Sequence, residues 1–493
     1  MIRVGSQVLV EDPPKWILDY ARRLRIPNPQ RAQALRFGSV YAASRHPKWV
    51  SGCTIQDSGD VIIPRAAYYA DVHDMVEEDV EVCTVTTDVE YPDPLLEMLP
   101  HQEEAMKAFM SHVNDCDAQE RPIDTTIVMA TSSGKTVLGM YLAYLCTEKT
   151  LVVVHSQEVE KAWLKDSEKM FGFKKKDIGR IRGKKITIGE QFTIGSVQTL
   201  MNLKPSLWRD EFGMVIFDEL HRHAATCFSR VAERARANVR VGITASDTRK
   251  DGRMPVIRWH LGKNCHKDTT PRNSVPLHFH GVITGVSVSP TKVNTVDIEV
   301  ISGEPPVEEE YVWGDVCTKL SYSEERNDKI VFLIKYIIEN HRGDILLPVN
   351  RKEHAYELVD RLISEGISAV ALTGDITGNK REQVYTDICN SEYKVTVGML
   401  QIVSDGASNP YWEHAVNVVP FSDRKTAEQL KGRPIRKRKG KKKAHFWDLI
   451  DDVDMLRNMA TTRYRGLRNH IVSACWHEIL KTDEDKFTLV RKE

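Results

Sequence analysis

Residues 128–139 read VMATSSGKTVLG, and what flanks this stretch limits the fold more than any other feature of the chain. Before it, DTTIVM (124–129) is an apolar run of strand length; after it, TVLGMYLAYLC (136–146) is an apolar run of helical length. The turn TSSGKT between them is therefore a strand-to-helix connection, the repeating unit of an α/β layer. Such a turn suits an anion: backbone amides from Ser132 to Thr136 and the positive helix N-terminus offer donors. Ala130, Thr131, Ser132, Ser133 and Gly134 form the candidate cradle, Lys135 can reach outer phosphates, and the Thr136 hydroxyl can ligate Mg²⁺. The full form of this motif has glycine five residues before Gly134, where this chain has Met129.

Further along, GMVIFDELHRH places Met214, Val215, Ile216 and Phe217 directly before Asp218 and Glu219. A second buried strand thus delivers two carboxylates at its C-terminal end. Adjacent carboxylates can divide the work, Asp218 holding a metal while Glu219 positions and deprotonates an attacking water. Together the two strands point to a nucleotide hydrolase that uses Mg²⁺.

Global charge says nothing about partners, because 69 basic residues balance 69 acidic ones among 493. No window approaches the roughly 20 apolar residues of a membrane span, and the start MIRVGSQVLVEDPPK lacks a long apolar core, so no membrane association and a cytoplasmic address are expected. Nine scattered cysteines without a Cys-x-x-Cys pair read as free thiols. His260, Cys265 and His266, with His278 and His280 nearby, fit no metal-ligand spacing.

Asp218-Glu219-Leu220-His221 is a D-E-x-H box, and from here the chain resembles the superfamily-2 helicases. RVGITASDTRKDG (240–252) resembles the R-x-G-L-T-A-T-P-x-R-x-D-G segment of the XPB and UvsW-like branch, with Thr244, Ala245 and Ser246 as motif III. LPHQ (99–102) resembles the glutamine motif, which implies an adenine contact for Gln102. TLVVVHSQEVEKAW (150–163) resembles motif Ia and ITIGEQFTIGSVQTL (186–200) the strand that follows it. In the second half, GDILLPVNRKEHAYELVDRL (343–362) resembles motif IV, VSDGASNP (403–410) motif V with Gly406 matching, and QLKGRPIR (429–436) motif VI with Gln429, Arg433 and Arg436 in place. The resemblance spans about residues 96–452 in motif order. Departures are Ser132 for glycine, Asp247 for proline in motif III, Pro348 inside the motif IV strand, and Ser408 for aspartate in motif V.

That resemblance implies two RecA-like lobes with parallel sheets: lobe 1 over 96–262, a connector over 263–325 and lobe 2 over 326–452. It implies Lys135, Asp218, Glu219, Arg433 and Arg436 as catalytic residues, the arginines acting as fingers from the second lobe. His221, Thr244 and Ser246 would couple hydrolysis to movement. Ser156, Ser196 and Gln198 would hold phosphates of nucleic acid without reading sequence. KGRPIRKRKGKKK (431–443), basic at nine of thirteen positions, adds a candidate polyanion contact, the alternative being a solvated loop.

Residues 1–95 read as a small α/β module: IRVGSQVLV a strand, WILDYARRL a helix, GDVIIPRAAYY a hairpin-like strand. NPQRAQALRFG and IPR resemble the N-terminal domain of UvsW-like helicases, implying an accessory DNA-binding domain with Arg36 and Arg65 as contacts. MATTRYRGLRNHIVSACWHEIL (459–480) reads as a basic amphipathic helix within a helical C-terminal tail, 453–493. The expected function is an ATP-dependent motor that unwinds or branch-migrates forked and junction DNA, with an RNA helicase or the motor subunit of a restriction or repair nuclease as alternatives.

Overall fold

A computed structural model of the chain describes residues 1–36, 43–130, 133–220, 225–248, 252–270, 274–289, 292–296, 307–311, 313–405, 409–482 and 486–492. The chain divides into two compact units, Met1–Thr270 with 296–305, and Pro271–Thr295 with Pro306–Glu493.

In the first unit, the run Ile123–Met129 is a buried strand and Lys135–Cys146 the helix after it, as the apolar spacing requires. Its eight-stranded sheet runs in the order 185–187, 179–182, 192–196, 150–154, 214–218, 239–244, 123–129, 264–268. All pairs are parallel except the edge strand Lys185–Thr187. The central strands are buried on both faces, which is why they are continuously apolar rather than alternating. Two apolar layers cover them, one around Phe109, Leu138 and Trp163, the other around Trp208, Phe228 and Ile257.

The second unit repeats this plan in the order 369–372, 395–399, 344–349, 412–417, 444–450, 277–283, 471–481, 487–492, parallel except for the last pair. Pro348 is tolerated because it pairs with Gly398 on one side, while the register with Trp412–Asn417 ends at Leu346.

Several local expectations change. IRVGSQVLV is two antiparallel strands, Ile2–Val4 and Gln7–Val10, turning at Gly5-Ser6. RAAYYAD is a helix, Arg65–Asp71, following the strand Val61–Pro64. The expected connector is divided: Asn264–Asp268 extends the first sheet and Leu277–Ile283 lies inside the second. The C-terminal helix covers only Asp454–Leu467; Ile471–Lys481 and Phe487–Lys492 form a hairpin that completes the second sheet. No helix among the described residues is long and apolar enough to cross a membrane.

One side of the second sheet carries a ladder of histidines. His280 Nε2 lies 2.9 Å from His445 Nδ1, and His280 Nδ1 lies 3.2 Å from His477 Nε2. The indole of Trp447 donates to His414 Nδ1 at 3.1 Å, so His414 carries its proton on Nε2 and donates it to the Arg342 carbonyl at 2.8 Å. Despite this density, no group of three or more His, Cys, Asp or Glu among the described residues has metal-binding geometry.

Candidate nucleotide-binding site

The parallel strands of the first unit end along one edge, and that edge gathers the sequence-predicted residues. Registers pair Asp218 with Ile243 and Thr244 with Val128, so motif III lies between the paired carboxylates and the strand that feeds the phosphate loop. Gly134 caps the helix with φ +77° and no side-chain cap bond. A Cβ there would stand 2.3 Å from the Gln102 amide nitrogen, so both the backbone and the packing demand glycine.

Lys135 is buried, with Nζ 3.3 Å from the Ala130 carbonyl and 3.5 Å from Glu219 Oε1. Asp218 is also buried: its Oδ2 accepts the Trp163 indole N–H at 2.6 Å and its Oδ1 the Glu219 amide at 2.8 Å. Burial, and then the neighbouring Glu219 charge, push the Asp218 carboxyl above the usual carboxylate range. Glu219 holds a left-handed backbone, φ 48°, a conformation that costs a side-chain-bearing residue about 1–3 kcal/mol and recurs where side chains are aimed for function. These donors fit magnesium nucleotide: a buried ammonium at an uncapped helix N-terminus suits phosphate, and Thr136 with Asp218 supplies hard oxygen ligands.

Gln102 and His101 both reach the phosphate loop. Gln102 Oε1 accepts the Leu99 amide at 2.7 Å, while Nε2 donates to the Ser133 and Gly134 carbonyls at 3.2 and 3.0 Å; His101 reaches the Ser133 carbonyl at 2.9 Å. Both side chains brace the phosphate loop. Thr244 donates to the Ser246 carbonyl at 3.0 Å, closing motif III on itself. Asp247 pairs with Lys267 at 2.8 Å, tying that motif to the edge strand, a contact a proline could not make.

Ser156, Ser196 and Gln198 stand at the ends of the adjacent strands Thr150–Val154 and Phe192–Ser196, on the same edge. Ser156 caps helix Gln157–Phe171 by accepting the Val159 amide, and Ser196 donates to Gln198 Oε1 at 2.8 Å. In the second unit, Gln429 lies on helix Arg424–Lys431, with Arg433 buried and Arg436 half-buried just beyond it. Of the basic run, Lys431 and Lys441 are also buried, Lys441 Nζ donating to the Trp412 carbonyl at 2.5 Å, so the exposed part is Lys437, Lys439, Lys442 and Lys443. Thr131, Ser132, His221, Gly406 and Ser408 lie outside the described residues, as does the side chain of Arg36.

Arg65 corrects an expectation. It is fully buried, donating from Nε and Nη2 to Asp124 at 2.7 and 2.8 Å and from Nη1 to the Ala237 carbonyl at 2.9 Å. Arg240 grips the same carboxylate at 2.6 and 3.1 Å. Burial raises the Asp124 carboxyl, but the Arg240 and Arg65 charges outweigh it and hold the group below its ordinary range. Arg65 joins the N-terminal sheet to the nucleotide-binding sheet and has no surface to offer DNA. Sequence reading missed Asp124 and Trp163; a lone charged residue opening an apolar strand was the available signal for Asp124.

A phosphate loop, paired carboxylates one strand removed in the same sheet, and a second parallel α/β unit bearing an arginine pair define a two-lobed nucleoside triphosphatase. Residues 95–249 match the family model described as type III restriction enzyme, res subunit, and residues 328–438 the helicase conserved C-terminal domain. The chain belongs to the superfamily-2 helicases, with phage UvsW and XPB helicases among its relatives.

Acanthamoeba polyphaga mimivirus "Putative ATP-dependent RNA helicase L396" is 25% identical over 68% of this chain and 62% of its own length. "Probable helicase D10" of Escherichia phage T5 is 25% identical over 73% of this chain and 74% of its own. Saccharomyces cerevisiae Dbp5, in a structure bound to RNA and ADP BeF3, shares the fold at a TM-score of 0.52 and 14% identity, covering 77% of this chain and 94% of that one. The chain thus spans less than two thirds of the mimivirus relative.

Proposed function

We propose that the protein is an ATP-dependent DNA translocase that unwinds or branch-migrates forked and junction DNA. The observation that carries this reading is the meeting of Lys135, Asp218 and Glu219 at one sheet edge in a helicase-family chain that retains Arg433 and Arg436. Magnesium nucleotide, when bound, supplies the transferable phosphoryl group. Residues 130–136 and the helix N-terminus bind the phosphates; Lys135 offsets their charge, Thr136 and Asp218 hold the metal, and Glu219 takes the proton of the attacking water. Arg433 and Arg436 act as arginine fingers, a contribution worth about 10³ to 10⁵ in rate. Nucleotide binding and product release alternate two states of the motor. Thr244, Ser246 and His221 couple that alternation to the sheet edge that carries Ser156, Ser196 and Gln198.

An RNA helicase is the second reading, favoured by the name of the mimivirus relative. Hydrolysis stimulated by DNA over RNA, with ATP-dependent strand separation on forked duplex lost in Lys135→Ala, supports the proposal. Stimulation by RNA alone, or unwinding that survives Lys135→Ala, overturns it.

A further inference from the structure

Although the whole chain is charge-balanced, one part of the N-terminal module is not. Residues 15–56 hold eight Lys and Arg but a single acid, Asp19. Folding brings much of this charge onto one small region. Helix Lys15–Arg23 ends in exposed Arg22 and Arg23, and the next residues form a two-stranded ribbon, Arg25–Pro27 against Trp49–Ser51, with Arg25 opposite Ser51 and Trp49 opposite Pro27. The Arg25 guanidinium lies 4.6 Å from the centre of the Trp49 ring, and Lys48 Nζ lies 5.8 Å from it. Arg22 pairs with Asp19 at 3.2 Å; among the described residues no carboxylate is within ion-pair reach of Arg23, Arg25 or Lys48.

Helix-dipole complementarity accounts for Arg22 and Arg23 alone. It does not account for Arg25 and Lys48, which sit on the ribbon. Nor is this a loose basic loop. Arg31 spends its guanidinium on the Ala43 and His46 carbonyls, the Asn28 amide donates to the Lys48 carbonyl at 3.0 Å, and Arg253 from the nucleotide-binding sheet's flank donates to Asn28 Oδ1 at 3.0 Å in a buried contact. The charges are therefore fixed relative to the sheet that carries the phosphate loop.

We propose that Arg23, Arg25 and Lys48 form an accessory site for the phosphate backbone of duplex DNA, fixed to the nucleotide-binding unit. This rests on the motor reading above and replaces Arg65 as the module's contact. The Arg25 guanidinium lies over one face of the Trp49 ring and takes that face from base stacking, which favours duplex over single strands. Guanidinium and ammonium groups without a carboxylate partner contact phosphates, and the binding is independent of sequence.

The test uses the full chain and a labelled blunt duplex, with affinity measured by anisotropy across a salt series. Each phosphate contact contributes about 0.9 to the slope of log affinity against log salt. The triple variant Arg23→Gln/Arg25→Gln/Lys48→Gln should flatten the slope by about 2 to 3 and weaken binding at least tenfold. Its DNA-free ATP hydrolysis and its maximal DNA-stimulated rate should stay unchanged, while the half-saturating duplex concentration rises. A charge-reversed single variant, Arg25→Glu, checks the same slope should the triple variant fail to fold. An unchanged slope in a folded variant overturns the site, as does charge-dependent binding to phosphatidylserine vesicles without binding to duplex. If wild type binds duplex through these residues but duplex does not stimulate hydrolysis, the site stands and the motor reading falls.

Discussion

Asp124 accepts two guanidiniums inside the first unit, and removing either leaves a buried charge short of a partner. Arg65→Ala should therefore destabilise the unit by about 3–5 kcal/mol, seen as a lower midpoint in denaturant unfolding, with no change in the salt dependence of DNA binding. A stable variant with weakened DNA binding would return Arg65 to the surface role its sequence context implies. An arginine that reads a ligand and one that closes a buried ion pair look alike in sequence, since the deciding partner lies 59 positions away. Lys135 and Glu219 were legible for the opposite reason: their meaning is carried by adjacent residues, a turn after one strand and an acidic pair after another. At Glu219 the left-handed backbone and the contact with Lys135 both support the role of base. Glu219→Gln should bind ATP with near-normal affinity while turnover falls by about 10² to 10⁴, measured by single-turnover hydrolysis; near-normal turnover would remove it from that role.

Among elements, the histidine-bearing strands make the second sheet acid-sensitive. Burial, reinforced by neighbouring histidines and by Lys394, Lys441 and Lys443, lowers His280 and His414 to about 3 and holds His445 lower still. The folded groups thus lie below the ordinary histidine value of 6.5, so on acidification the unfolded chain takes up protons first. Stability is complete above about pH 6.5 and is lost as pH falls toward the folded values. Thermal scans from pH 7.5 to 5 should show a falling midpoint, less steep in His445→Phe; a flat profile would contradict the neutral ladder. The C-terminal hairpin, whose His477 ends this ladder, was hidden from sequence reading. IVSACWHEIL has spacing that also suits a helix, and its strand partner Leu277–Ile283 lies almost two hundred positions upstream. Short apolar runs beside a phosphate loop are decided locally, whereas a strand near the edge of a sheet is decided by what it docks on.

For the whole molecule, the order of motifs made two α/β lobes readable, because most of the motifs lie at strand ends. The division of the connector between two sheets was not readable, since the alternation of Leu277–Ile283 marks a strand without saying which sheet it joins. The proposal that the chain is a motor rather than a switch rests on Arg433 and Arg436 taking part in hydrolysis. Single-turnover ATP hydrolysis by Arg433→Ala, with ATP binding followed in parallel, tests this most directly. The account predicts that binding persists while the hydrolysis rate drops by about 10³ to 10⁵; an unaltered hydrolysis rate in a folded variant would contradict it.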